Sequence, residues 1–126
     1  MPIRVVYFKE DDGTVPVLDW ITEQQEKVAV RCYVKIEYLE DVGHNAKRPD
    51  ADYLRDKIYE LRITLSGNKY RILYFFNGQT AIVLAHSLIK KTDKVPDRDI
   101  ELAIKRKKTF ESDPSKHTYD GESEEE

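Results

Sequence analysis

Residues 58–89 hold three β-patterned runs separated by very short turns, and this constrains the fold more than any other feature of the chain. Ile58 to Leu65 (IYELRITL) alternates Tyr59, Leu61, Ile63 and Leu65 with Ile58, Glu60, Arg62 and Thr64, the period of a strand with one buried face. Ser66-Gly67-Asn68-Lys69 reads as a turn and Tyr70 to Phe76 (YRILYFF) as the returning strand of a hairpin. Asn77-Gly78 is a strong turn dipeptide, and Thr80 to Ile89 (TAIVLAHSLI) is apolar enough for a central position. Strands joined this closely must run antiparallel, so the pattern predicts a meander.

The flanking segments complete the architecture. Ile3 to Phe8 reads as a first strand ending at the turn cluster Lys9-Glu10-Asp11-Asp12-Gly13. From Pro16 the period becomes helical: Val17, Trp20 and Ile21, then Val28, Cys32, Ile36 and Leu39 up to Gly43. His44 to Asp50 reads as a connector. Pro96 fits the first position of a closing helix, with Asp97, Asp99 and Glu101 at its positive end and Lys105 to Lys108 at its negative end. The order β-α-α-β-β-β-α predicts an α+β fold with its helices packed on one face of the sheet.

At 126 residues the chain is expected to form one domain over 1–112, followed by an acidic, disordered tail over 113–126. Cys32 is the one cysteine and has no internal partner, and no apolar run approaches the roughly 20 residues a membrane helix requires, so the chain reads as cytoplasmic. Net charge is -3, yet residues 57–108 carry 12 basic and 5 acidic side chains. That imbalance points to a polyanionic partner for one face or to a solvated basic surface.

Several chemistries lack their residues. There is no phosphate-binding glycine loop, no cysteine pair for zinc, no helical histidine pair flanking a glutamate and no Gly-x-Ser-x-Gly elbow. What remains is a polar set on adjoining strands: Glu60 and Arg62, Arg71, and His86 followed by Lys90 and Lys91. Strand parity turns Glu60 and Arg62 away from the apolar set, gives His86 and Lys90 a common face, and leaves Arg71 on a strand that is apolar on both sides. Such a set suits cleavage of an RNA phosphodiester without a metal or other cofactor. Arg62 and Arg71 would grip the phosphate, a lysine would stabilise developing charge, and Glu60 or His86 would accept the 2′-hydroxyl proton. Lys57, Lys90 and Lys94 are the expected RNA-contacting cations. Each residue also has an ordinary reading: Glu60 with Arg62 as a surface pair, His86 as a hydrogen-bonded core residue, and Lys90 and Lys91 as strand-end solubilising charges.

The runs Leu54-Arg55-Asp56-Lys57-Ile58-Tyr59-Glu60-Leu61-Arg62-Ile63, Tyr70-Arg71-Ile72-Leu73-Tyr74-Phe75-Phe76 and His86-Ser87-Leu88-Ile89-Lys90-Lys91-Thr92, followed by Pro96 and a basic helix, occur in this order. Together they resemble the phage-derived HigB branch of the RelE/ParE toxin superfamily, over about Ile3 to Phe110. The resemblance implies a RelE-like fold: an antiparallel meander with an N-terminal strand, N-terminal helices packed on the sheet and a C-terminal helix. It also implies the toxin of a type II toxin–antitoxin pair, a metal-independent endoribonuclease that cuts mRNA on the ribosome and is neutralised by a cognate antitoxin of helix-turn-helix type. By position, Arg71 matches the phosphate-binding arginine of RelE-type toxins, Lys91 a second basic catalytic position and Arg62 a basic position on the preceding strand. Glu60 stands where RelE has a lysine and the HigB branch often has Glu. The tyrosine that RelE carries near the start of its last helix has no equivalent around Asp97, and Val95 replaces a helix-capping Thr or Ser.

Two other readings compete. A ParE-like toxin that binds gyrase needs no catalytic basic cluster, and the retention of Arg62, Arg71 and Lys90-Lys91 argues against it. A non-catalytic module that holds RNA or an acidic antitoxin segment would use the same residues.

Overall fold

A computed structural model describes residues 3–121. The elements run β1 (Arg4–Phe8), α1 (Pro16–Thr22), α2 (Glu26–Val42), a 3-10 turn (Gly43–Asn45), β2 (Ala51–Arg55), β3 (Ile58–Leu65), β4 (Asn68–Asn77), β5 (Ala81–Lys90), α3 (Asp97–Ser112) and β6 (Thr118–Tyr119). They build one sheet in the order β2-β3-β4-β5-β1-β6. The meander β2 to β5 is antiparallel, β1 lies parallel to β5, and β6 closes antiparallel on β1. The architecture is α+β and consistent with a RelE-like fold.

The sheet is covered on both faces, which corrects the expectation of helices on one side. Val17 and Ile21 of α1 and Val28, Cys32, Ile36 and Leu39 of α2 pack with Leu61, Ile63, Ile72, Tyr74, Ile82 and Leu84. On the opposite face Ile100, Ala103 and Phe110 of α3 pack with Val6, Phe8, Ile58, Leu73, Phe75 and Val83. The dual apolarity of β4 is the physical cause: a strand with hydrophobic groups on both sides must bury both.

Two strands escape the sequence pattern. β2 is a short edge strand with Asp52 and Arg55 in it, and it joins β3 through Asp56 and Lys57, both at positive φ (52° and 69°). That is the geometry of a tight hairpin turn without its usual glycine. β6 follows a turn after α3 and is anchored by His117. This residue is 3% exposed, stacked on Phe8 with ring centroids 5.6 Å apart, and donates from Nδ1 to the Lys9 carbonyl at 2.7 Å. The expected tail is therefore corrected over residues 113–119, which β1 holds in place; residues 122–126 lie outside the described residues. Pro96 is the N-cap of α3 rather than its first helical residue, and Val95 is buried in the core beneath that helix.

One irregularity positions the site. Between β4 and β5 the register shifts, Leu73 opposing His86 while Tyr74 opposes Leu84, so Ala85 is an extra residue. This bulge reverses the side-chain parity of the end of β5. Leu88 comes to oppose Arg71 and Lys90 to oppose Lys69, on the α3 face.

Candidate functional site

Glu60 and Arg62 alternate onto the α3 face of β3, and the β3–β4 register sets Arg71 directly across from Arg62. Three charged groups thus meet on neighbouring strands. The Arg71 Nε lies 3.2 Å from Glu60 Oε1, and the Arg62 Nε 3.8 Å from Glu60 Oε2. The Arg71–Glu60 contact is an ion pair without hydrogen-bond alignment, so neither Glu60 Oε1 nor Arg71 Nε has a hydrogen-bond partner although both are buried. Arg71 Nη1 donates to its neighbouring Tyr70 carbonyl at 3.0 Å.

Burial differs sharply across this cluster. Arg71 is 1% exposed, whereas the Arg62 side chain retains 29% exposure. Burial pulls the Arg71 guanidinium below its ordinary range, Glu60 opposes that shift, and the Arg62 charge adds to it. The Lys90 ammonium is likewise held below its usual value, first by desolvation and then by Arg71.

Glu60, Arg62 and Lys90 open onto a cleft of about 460 Å³. Its walls are β2, with Asp52, Tyr53, Leu54 and Arg55, and the β5–α3 connection, with Asp93, Lys94, Val95 and Asp97. Arg48, also on the wall, pairs with Asp52 at 2.8 Å, and Arg55 reaches Glu101 at 2.9 Å and Asp97 at 3.4 Å. The Lys90 and Lys94 ammonium groups have no ion-pair partner among the described residues. Asp93, like the two lysines, is in no ion pair among the described residues, so the lining, with five cations and four carboxylates, carries a small positive excess around the buried Glu60.

The sequence-derived candidates divide into those the fold gathers here and those it does not. Glu60, Arg62, Lys90 and Lys94 line the cleft. Arg71, expected to grip a phosphate, lies beneath it as the counter-ion of Glu60. Lys91 is exposed beyond the end of β5 and does not line the cleft, and Lys57 lines a neighbouring groove. His86 is held under α3: Nε2 donates to Asp99 Oδ1 at 2.7 Å, and the ring faces Arg106, whose Nη1 donates to the Ala85 carbonyl at 2.9 Å. Desolvation depresses its pKa against the pull of Asp99. Nothing in the sequence singles out Arg48 and Arg55, because both precede the recognisable strands. The positive-φ pair Asp56-Lys57 carries no glycine to announce the hairpin that brings Arg55 to the wall.

Among the described residues no group of three or more His, Cys, Asp or Glu side chains is placed to hold a metal ion, and no helix is long and apolar enough to cross a membrane. The sequence profile of phage-derived Gp49-like proteins (DUF891) matches residues 19–108. The matched segment contains every residue that lines the cleft. No curated protein matches the chain.

Proposed function

The chain belongs to the Gp49-like family of phage-derived proteins, a family of the RelE/HigB-like toxins, and from that premise we propose that it is the toxin of a type II toxin–antitoxin pair that cleaves mRNA on the ribosome. A cognate antitoxin is its inhibitory partner in this reading. The observation that carries it is the Glu60 carboxylate at the floor of the cleft, with Oε1 buried against Arg71 and Oε2 on the side of Arg62. Arg71 holds one carboxylate oxygen from below, and the other is the acceptor that a ribose 2′-hydroxyl would meet.

The side chains present account for each part of a transesterification. Glu60 takes the 2′-hydroxyl proton as the 2′-oxygen forms its bond to phosphorus. Arg62 and Lys90 neutralise charge growing on the phosphate oxygens. The P–O5′ bond breaks, and the 5′-oxygen receives a proton from Lys90, whose depressed pKa makes it a better acid than an ordinary lysine. The products are a 2′,3′-cyclic phosphate and a 5′-hydroxyl. Arg71 acts through Glu60: it fixes the carboxylate from below and keeps it from being a lone buried charge. Lys91 and His86 have no direct part in this scheme.

The test is induced expression in bacteria with genome-wide mapping of new mRNA 5′ ends, comparing wild type with Arg62→Ala and Lys90→Ala. Growth arrest with 5′-hydroxyl ends inside coding regions, absent from both variants, is expected. Arrest without new ends would move the assignment to a gyrase-type target, and ends that persist undiminished in both variants would overturn the site.

A further inference from the structure

A second groove adjoins the cleft and shares Tyr53 and Arg55 with it. It lies between the β2–β3 turn and α3. Its three carboxylates are all engaged: Asp56 and Glu101 with Arg55, and Glu111 with Lys107 at 2.9 Å. Asp56 and Glu101 share the single Arg55 charge with Asp97, so the lining, with four cations and three carboxylates, carries an excess of one, and the Lys57 and Lys108 ammonium groups are its cations with no ion-pair partner among the described residues. The positive φ of Lys57 belongs to the tight turn, so its place is fixed by backbone geometry. Tyr53, at the junction, is 50% exposed and donates nothing; its hydroxyl accepts the Lys57 backbone N–H at 3.2 Å, and its ring is braced edge-on by Tyr59 at 5.0 Å.

We propose that this groove is a second RNA-binding subsite, in which Lys57 and Lys108 hold backbone phosphates of the strand whose scissile bond lies in the neighbouring cleft. The inference rests on the reading of that cleft as an RNA site and extends it to the path of the substrate. Two features favour a nucleic acid over an acidic peptide. The groove is continuous with the cleft, so one extended strand passes from Lys90 and Lys94 across Arg55 to Lys57 and Lys108. The two lysines without ion pairs come from separate elements, the β2–β3 turn and α3, and two separate single charges suit phosphates, each bearing one charge, better than a dense acidic run.

The experiment measures binding of a non-cleavable, fully 2′-O-methylated octanucleotide and a trinucleotide to the full chain, at salt concentrations from 50 to 200 mM (roughly the range over which such contacts are screened). For the variant Lys57→Ala/Lys108→Ala, octanucleotide affinity should fall about tenfold and its log–log salt slope should flatten by about 1.4, as the loss of two single-strand phosphate contacts predicts. Trinucleotide affinity should not change. Unchanged octanucleotide binding in this variant, with loss in Lys90→Ala, would overturn the second subsite and leave the cleft intact. Loss in Lys57→Ala/Lys108→Ala but not in Lys90→Ala would keep the groove as an RNA site and remove the cleft reading. Loss of hexaglutamate binding without loss of octanucleotide binding would make the groove a peptide site and overturn the inference. Failure of the wild type to bind the octanucleotide at 50 mM salt would also overturn it, while the cleft reading would still be judged by the mRNA ends formed in cells.

Discussion

Two arginine–carboxylate pairs stand on the same face of the sheet at the same separation, Arg71 with Glu60 and Arg106 with Glu10, each 3.2 Å apart. Each arginine also donates to a main-chain carbonyl, Tyr70 in one case and Ala85 in the other. They differ in the carboxylate. The Glu10 side chain is 37% exposed and can be hydrated, whereas that of Glu60 is 7% exposed and forms the floor of a cleft. Around Arg106, the His86–Asp99 hydrogen bond and the Phe8 ring, 5.8 Å from the guanidinium, tie β5, β1 and α3 together. Both arginines leave a buried Nε without a hydrogen bond, but only at Arg71 is a buried carboxylate oxygen, Glu60 Oε1, left without one as well. The same chemical pair thus serves as a fastening where water reaches the acid, and as a candidate reactive centre where it does not.

The largest effect should come from breaking the buried pair. Arg71→Met leaves Glu60 as an uncompensated buried charge and should cost about 3–5 kcal/mol in urea unfolding. Adding Glu60→Gln should restore most of that loss. Arg106→Met, with a hydratable partner, should lose clearly less; equal losses for the two arginines would erase the distinction between the pairs.

Next in size is the catalytic contrast. Lys90→Ala should lower the rate of mRNA cleavage about 10²–10³-fold, the usual effect of removing a charge-stabilising group. Asp99→Asn should leave that rate within about threefold, because Asp99 holds His86 rather than the cleft. Quantitative primer extension on one cleaved message would measure both.

Stability should show the reverse order. Asp99→Ala removes the carboxylate from a partly buried histidine and should cost about 1–2 kcal/mol, while Lys90→Ala should stay within about 0.5 kcal/mol. Paired urea midpoints decide it.

The smallest effect is that of pH. His86 is more weakly basic in the fold than in the unfolded chain, chiefly through desolvation and despite Asp99, with Arg106 adding to the shift. The unfolded chain therefore binds the proton first, and stability falls as pH drops below about 6.5, the unperturbed histidine value. Above that pH both states are neutral at this site and it adds no slope. Unfolding midpoints at pH 7.5 and 5.5 should converge in His86→Gln; an identical pH dependence in that variant would assign the effect elsewhere.

Much of this arrangement was legible in the residues. The alternation of Tyr59, Leu61, Ile63 and Leu65 indicated β3 and its buried face, and the same parity put Glu60 and Arg62 together on the other side. The spacing of Val28, Cys32, Ile36 and Leu39 marked the inner stripe of α2. Other features depend on long-range contacts that no local pattern encodes. β2 is polar because it is an edge strand, so it lacks an apolar run. The face taken by Arg71 is decided by α3, far along the chain, and its near-complete burial follows from that covering. His117 becomes part of the core only because β1 offers an edge and Phe8 a ring.

The extra residue at Ala85 makes the distal half of β5 behave like text read in a shifted frame. A relative of the same length that pairs β5 without this bulge would keep the same succession of histidine, leucine and lysine, and would present the lysine at position 90 to α1 and α2 instead of to Glu60. Matching letters alone is then an unsafe guide to shared chemistry in such chains; the bulge between Tyr74 and Lys90 has to be accounted for as well.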